Sequence, residues 1–257
     1  MRQTSILRQY RFLLVELVKK GIRLKYRRSY LGILWSLIEP ILSTIVLVIV
    51  FGTLFNNKNP TYPLYIIIGR LFMSFFQEGS RAAMTSIRRN SSMIKKVYIP
   101  KYLYPLSSTI FSYIIFLIST IVIIMVDIFC KVVPTIQVLW LIPALILIFM
   151  LTLSCGTILC CMNVFFRDIE YIWNVLCMII MYMSAVFYYP EKILSSGFAW
   201  ILNINPVYHI VTLARNAVLS QPVNIHGIFY TCGFIAFFFS LGNLMFYKLK
   251  DKFVFSI

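Results

Sequence analysis

Several stretches of this chain are long and apolar enough to cross a lipid bilayer, and they constrain its fold more than any other feature. Residues 137–163 contain no Asp, Glu, Lys or Arg, and residues 103–130 contain only Asp127. A membrane-spanning helix needs about 20 predominantly apolar residues. With 60% hydrophobic and 12% charged residues overall, the chain has more apolar side chains than a soluble core could bury. We therefore predict an all-α membrane protein.

Hydropathy and charge together predict the topology. Six segments are long and apolar enough to span: 33–55, 63–86, 103–130, 137–163, 171–189 and 225–247. An even number of spans places both termini on one side. Nine Lys and Arg residues lie in residues 1–28 and five more in 88–101, whereas the loops of the other side hold Lys58, Lys131, Lys192 and Arg215. By the positive-inside rule, both termini are cytoplasmic.

An amphipathic helix is predicted ahead of the first span, within residues 1–30. Its apolar positions recur at helical spacing, at Ile6, Tyr10, Leu13, Leu14, Leu17 and Leu24. This pattern is typical of a helix that lies flat on the inner leaflet. Such a helix either only anchors the chain to anionic lipid or also contacts a partner.

Segment 190–222 is too interrupted to be a span and too apolar to be a polar loop. Pro190, Pro206, Pro222 and Gly197 divide it into short apolar pieces. We expect a pair of re-entrant helices that dip into the outer leaflet and return. Broken backbone at that depth is tolerated where it is buried in protein or lines a wet cavity, so we expect a pathway nearby.

Four charged residues within the predicted spans are candidates for a functional role, because charges in a bilayer usually face protein or a pathway. Glu39 lies in the first span beside Pro40, which frees a backbone carbonyl. Glu78 and Arg81 are three positions apart on the second span and can pair on one face. Arg70 has no acid close to it in the sequence, so it either snorkels outward or faces a conduit.

Aromatic residues concentrate near the predicted outer side, at Tyr182, Phe187, Tyr188, Tyr189, Phe198, Trp200 and Tyr208. They form either an interfacial belt or a surface on which sugar rings stack at an exit.

Signatures of an enzyme are missing from the sequence. No glycine pattern gives a phosphate-binding loop, and no Cys or His cluster predicts a metal site. His209 and His226 have no acid or nucleophile at catalytic spacing. The net charge of +16 would point to nucleic acid in a soluble protein, but in a membrane protein it reflects cytoplasmic loops and contact with anionic lipid or substrate. We predict no catalytic residue, metal, cofactor or nucleic-acid partner for this chain.

Five segments together resemble the membrane subunit of polysaccharide-exporting ABC transporters of the ABC-2 family. They are LKYRRSYLGILWSLIEP, MIKKVYIPKYLYPLSS, NVFFRDIEYIWNVL, SAVFYYPEKI and LNINPVYHIVTLARNAVL, in this order. The family exports O-antigens, capsules and teichoic acids on an undecaprenyl-diphosphate lipid. The resemblance implies a homodimer of six-span subunits in a bacterial cytoplasmic membrane. It also implies two copies of a separate cytoplasmic subunit that binds ATP and Mg.

The resemblance also implies roles for particular segments. Residues 5–28 would form the interface helix, and Tyr30, Leu31 and Gly32 the loop at the substrate entrance. Residues 88–101, with Arg88, Arg89, Lys95 and Lys96, would contact the ATPase, and 190–222 would be the re-entrant helices. Arg70 departs from the family pattern, and Glu39 has no clear match.

The residue chemistry agrees with this entrance. Lys25, Arg27 and Arg28 can form charge-assisted hydrogen bonds with a diphosphate headgroup, and Gly32 lets the flat helix turn upright.

Two other functions stay open. An ABC-2 exporter of a drug or small lipid would not need the aromatic residues at the exit. A polyprenyl-phosphate sugar transferase would need a cluster of acids on a cytoplasmic loop, and only Asp168 with Glu170 approaches one. A helix N-terminus explains these two acids more simply.

Overall fold

The computed structural model describes residues 10–27, 29–56, 59–95, 99–133, 135–194, 197–249 and 253, and all regular structure in these ranges is helical. The helices are α1 (Arg11–Tyr26), α2 (Trp35–Leu54), α3 (Tyr62–Arg89), α4 (Ser91–Ile94), α5 (Leu103–Ser119), α6 (Ile121–Cys130), α7 (Leu141–Phe165), α8 (Ile169–Tyr182), α9 (Glu191–Leu194), α10 (Ala199–Ile204), α11 (Pro206–Val218) and α12 (Ile225–Leu249). The predicted fold class, all-α, is confirmed over the described residues.

Four helical stretches are long and apolar enough to cross a membrane: Gly32–Leu54, Leu103–Cys130, Ile136–Phe165 and Ile225–Leu249. They correspond to the predicted spans 33–55, 103–130, 137–163 and 225–247. The other two predicted spans, 63–86 and 171–189, are not among these four stretches. Helix α3 has 28 residues but carries several charges, and α8 has 14 residues, about 21 Å of helix against a hydrocarbon core of about 30 Å. The count of six spans stays a prediction.

Helix α3 is the centre of the bundle. It packs most extensively against α7 and α5, and Leu64, Ile67, Ile68 and Phe72 are completely buried. Because protein covers it on most sides, α3 can carry charged residues that a lipid-facing helix could not.

The helices α2 and α12 lie at the outside of the bundle and leave large apolar side chains exposed. Examples are Leu42 and Ile49 on α2 and Phe229 and Phe237 on α12, all more than half exposed. Apolar surface of this extent is covered by lipid or by another protein chain in a stable fold.

The antiparallel helices give the bundle two ends. At one end, called the α1 end, Phe253 packs against Phe165 and Phe246, close to α1 and α4. At the opposite end, Thr135 bonds to Ser220 and Asn59 bonds to Tyr189. The predicted cytoplasmic segments therefore share the α1 end, and the predicted outer loops share the other.

The apolar face of α1 contacts protein in addition to any contact with lipid. Tyr10, Leu13, Leu14 and Leu17 pack against a cluster at the α1 end that is built from α3, α5, α7 and α12. Protein partly buries these four side chains, and the position of α1 on the inner leaflet stays a prediction. Phe12 and Leu24 on α1 stay exposed, and Ile6 lies outside the described residues.

Segment 190–222 folds into the three short helices α9, α10 and α11. Pro206 begins α11, where the Asn205 side chain accepts a hydrogen bond from the backbone N–H of Val207 at 3.0 Å. Helix α11 is largely buried and packs against α7, α12 and α3. The predicted breaks at prolines are present, and a re-entrant path through lipid remains a prediction.

Candidate functional site

Four cavities follow helices α2 and α3 from the α1 end to the opposite end. The first, about 650 Å³, lies at the α1–α2 connection, and the second, about 290 Å³, lies between α1, α2, α3 and α5. The third, about 520 Å³, and the fourth, about 530 Å³, continue toward the opposite end. Tyr26 lines both the first and the second cavity, and Arg70 and Ser74 line both the second and the third. We call this series the α2–α3 track.

The first cavity is built by the turn that joins α1 to α2. Gly32 has a φ of +50°, a conformation that glycine adopts without strain, and its N–H donates to the Ser29 hydroxyl at 3.0 Å. Arg23 and Arg27 line the cavity and Tyr30 is fully exposed beside it. The predicted turn at Gly32 is thus present, and Arg28 lies outside the described residues.

The second cavity contains two ion pairs that the sequence did not predict. The Lys25 ammonium lies 3.6 Å from the Glu78 carboxylate, so Glu78 pairs with α1 rather than with Arg81, which is exposed. Arg70 donates from Nη2 to Oε1 of Glu39 at 2.5 Å and thereby links α3 to α2. Arg70 faces the track instead of snorkelling, and its acid is 31 positions away in the sequence.

Pro40 frees a backbone carbonyl, as predicted, and the structure supplies a substitute donor. A proline at position 40 removes the N–H that would bond to the Ser36 carbonyl. The Ser119 hydroxyl on α5 donates to that carbonyl at 2.8 Å. The proline therefore lets α2 bond laterally to α5 at the wall of the second cavity.

Aromatic rings line the far part of the track. Phe187 stacks on Phe51 with centroids 4.8 Å apart, and Tyr188 and Tyr189 line the fourth cavity with Tyr62. Of the predicted exit residues, Tyr182 contacts the Phe187 ring. Trp200 lies on α10 and is not among the residues lining the fourth cavity.

The backbone that carries these aromatic residues is held by a buried arginine that sequence reasoning placed in an outer loop. Arg215 on α11 is 3% exposed and donates to the carbonyls of Tyr65, Ala185 and Val186 at 3.0–3.1 Å. Its guanidinium stacks on the Tyr65 ring at 3.5 Å. Gly69 makes room, because a Cβ there would lie 2.2 Å from Arg215 Nη2. Ala185 has a φ of +49°, and these hydrogen bonds hold it in that strained conformation.

Two tyrosines of α3 complete this support. The Tyr65 hydroxyl donates to the carbonyls of Ala185 and Tyr188, and the Tyr62 hydroxyl donates to the Phe187 carbonyl at 2.6 Å. Four consecutive carbonyls, 185 to 188, therefore have donors from α3 or α11. A sequence signal for Arg215 existed, since it lies four positions after Val211 and three before Val218, both buried.

In the predicted ATPase-contact segment 88–101, one cation binds to the helix bundle and others are exposed at the surface. Arg88 donates to Glu170 at the start of α8, and Asn163 donates to the same carboxylate at 3.3 Å. Arg89 and Lys95 are exposed, and Lys96 lies outside the described residues.

Close to this segment, the Tyr102 hydroxyl is buried without a hydrogen-bond partner among the described residues. This burial raises the pKa of Tyr102 above its ordinary value, and Tyr10 adds a smaller effect in the same direction.

Apolar helices long enough to span a membrane, beside a track of cavities lined by charged and aromatic residues, are the architecture of a membrane transport subunit. Comparison with known families supports this: the chain matches the ABC-2 type transporter family over residues 13–219. It therefore belongs to the ABC-2 membrane family.

Three relatives with assigned roles each match between 79% and 94% of the chain. It is 28% identical over 246 residues to the O-antigen export system permease protein RfbA of Klebsiella pneumoniae, covering 94% of this chain and 93% of the relative. The RfbA protein of Myxococcus xanthus is 28% identical over 79% of each chain. The capsule polysaccharide export inner-membrane protein CtrC of Neisseria meningitidis is 20% identical over 82% of this chain and 80% of its own length.

Proposed function

We propose that this chain is the membrane subunit of an ATP-driven exporter of polysaccharide carried on undecaprenyl diphosphate. The observation that carries the proposal is the α2–α3 track, which has cations at one end and aromatic rings at the other. Family membership and relatives named as O-antigen and capsule export proteins support it. O-antigen, capsule and teichoic acid are all compatible cargo classes.

In this proposal, two copies of the chain form six-span subunits of a homodimer in a bacterial cytoplasmic membrane, with both termini cytoplasmic. The excess of Lys and Arg in the segments of the α1 end supports this orientation. Helices α3 and α8 would be the second and fifth spans, shielded by the partner copy and by neighbouring helices. ATP and Mg would bind to two copies of a separate subunit.

The diphosphate headgroup would bind at the first cavity. Arg23 and Arg27 line it and no acid is among its described lining residues, so its electrostatics favour an anion. Lys25 contributes less than its position in the sequence indicates, because Glu78 already neutralises it.

Residues Arg89 and Lys95 would contact the ATP-binding subunit, together with Lys96. Arg88 would have another role, because its ion pair with Glu170 joins this segment to α8. The opposite end of α8 leads into the segment that carries Phe187, Tyr188 and Tyr189, which would guide sugars outward.

The test is transport in vesicles that contain the chain with its ATP-binding subunit. The chain alone should not hydrolyse ATP, whereas the complex should hydrolyse ATP and accumulate lipid-linked glycan on the far side of the membrane. Aromatic contacts are worth about 0.5–1.5 kcal/mol each, so Tyr188→Ala with Tyr189→Ala should slow glycan transport by about tenfold. The matched control is Trp200→Ala, which should transport normally.

Two results would contradict the proposal. Glycan that stays on the loading side despite ATP hydrolysis by an intact complex would rule out this cargo and favour the alternative, an exporter of a drug or small lipid. Normal glycan transport by the double tyrosine variant would rule out the aromatic exit.

A further inference from the structure

The first and second cavities share Tyr26 but differ in charge. The first has Arg23 and Arg27 among its described lining residues and no acid. The second has Lys25 and Arg70 balanced by Glu39 and Glu78, with both pairs formed. A cavity whose charges cancel gives an anion no net attraction, so a phosphate group is favoured in the first cavity and not in the second.

The second cavity nevertheless offers many unused hydrogen-bonding positions. Arg70 donates one N–H to Glu39, and a guanidinium has five such donors in a fixed plane. The side chains of Glu39 and Glu78 are 60% and 66% exposed, so their carboxylates can accept further bonds. The hydroxyls of Ser74 and Ser112 line the same cavity and have no partner among the described residues.

Aromatic rings line this cavity beside the polar groups. Trp35, Tyr26 and Phe75 are among its lining residues, and Trp35 is 46% exposed. A sugar ring has apolar C–H faces that pack on aromatic rings and a rim of hydroxyls that each donate and accept hydrogen bonds. The second cavity offers aromatic rings to the C–H faces of a sugar and polar groups to its hydroxyls. Its volume, about 290 Å³, lies just below the range for pockets that hold drug-sized ligands, about 300–1,000 Å³, so it suits a single sugar unit.

We propose that the second cavity is a saccharide subsite, which binds the first sugar of the lipid-linked cargo through Glu39, Arg70 and Ser74 while its phosphates stay at Arg27. The inference rests on the proposed function and names the part of the cargo that this site recognises. The Arg70–Glu39 pair then has a second role beyond joining two helices, because it holds a donor fork and an acceptor in fixed positions. Arg70 and Ser74 line both the second and the third cavity. A glycan bound to these two side chains in the second cavity can therefore move on into the third.

The test compares two probes on the complex of the full chain with its ATP-binding subunit in lipid nanodiscs. One probe is undecaprenyl diphosphate, and the other is undecaprenyl diphosphate that carries one N-acetylglucosamine. In the wild type, the sugar should tighten binding by about tenfold. Glu39→Gln, Arg70→Gln and Ser74→Ala should each reduce this gain while affinity for the bare carrier is kept. Arg27→Gln should weaken both probes equally and keep the gain.

Two controls separate recognition from structure. Glu16→Gln removes a carboxylate from the exposed Glu16–Lys19 pair on α1, which lies outside the cavity, and should bind both probes like the wild type. The swap of Glu39→Arg with Arg70→Glu restores an ion pair between α2 and α3. If the Arg70–Glu39 pair were only structural, the swap would restore the tighter binding of the sugar-bearing probe. In our proposal the swapped variant binds both probes with equal affinity.

The outcomes that overturn the subsite differ from those that overturn the proposed function. Equal affinity for both probes in the wild type rules out the subsite alone, and so does recovery by the swap. Weaker binding of the bare carrier by Arg70→Gln, together with tighter binding of the bare carrier by Glu39→Gln, would mean that the second cavity binds phosphate. Failure of an assembled complex to bind either probe, together with absent glycan transport, would count against the proposed function itself.

Discussion

At the scale of single residues, Arg215 holds more of the surrounding backbone in place than any other described side chain of the site. It is buried, has no acid among its hydrogen-bond partners in the described part of the chain, and donates to three backbone carbonyls. Lysine cannot replace it, because one ammonium on a flexible stem does not present a planar fork. The shape of the aromatic segment near the fourth cavity therefore depends on a residue outside that cavity.

Arg215→Ala should remove one donor from each of three backbone carbonyls, while the Ala185 carbonyl keeps the Tyr65 hydroxyl. We expect a cost of about 3 kcal/mol. In a chain of this size that lowers the melting temperature by roughly 6–12 °C, which a thermal unfolding assay of the purified protein in detergent would detect. The melting temperature of Arg215→Lys should be only slightly higher than that of Arg215→Ala. Arg81→Ala, at an exposed arginine on α3, is the control, and an equal melting temperature for Arg215→Ala and this control would refute the role given to Arg215.

The residues of the site were predictable from the sequence to different degrees. Glu39 stood out as the one charge in the predicted span 33–55, and Arg70 stood out because no acid lies close to it in the sequence. The freed carbonyl at Pro40 follows from proline chemistry alone. Their partners were not predictable, since Arg70 finds Glu39 across two helices and Ser119 approaches from α5. Pairing in space depends on helix packing, which a sequence pattern does not specify.

At the scale of helices, the link between α3 and α8 joins the two ends of the bundle. The Arg88–Glu170 pair is partly buried, with 37% and 22% of the side chains exposed, and Asn163 adds a third member from α7. Because α8 continues into the aromatic segment, movement at the α1 end can reach the fourth cavity through one short helix.

Glu170→Gln should weaken this link and lower transport per ATP hydrolysed. Coupling free energies are commonly 1–3 kcal/mol, so we expect transport to fall by about fivefold or more while ATP hydrolysis by the complex continues. The control is Asp168→Asn, two residues away on an exposed acid whose side chain makes no capping hydrogen bond. Unchanged transport per ATP in Glu170→Gln would exclude α8 as the connection.

Helix boundaries were predicted well where hydropathy alone determines them, as in 103–130 and 225–247. The protein contacts of α1 were not predicted, because an amphipathic pattern shows that one face is covered but not what covers it. Four of its apolar residues contact protein, and only the folded bundle reveals that surface.

At the scale of the whole molecule, the track runs along α2, and α2 leaves apolar side chains exposed, among them Leu42 and Ile49. Apolar surface of this extent is covered by lipid or by another protein chain. In the homodimer that we propose, a second copy facing α2 would enclose the track.

The central claim is that glycan moves along the α2–α3 track, and photo-crosslinking during export tests it most directly. A photoreactive amino acid is placed at Ser74, which lines the second and third cavities, or at Phe237, exposed on α12. We predict a glycan adduct at position 74 that requires ATP hydrolysis, and none at position 237. Export that continues with no adduct at position 74, or with adducts only at position 237, would contradict the claim.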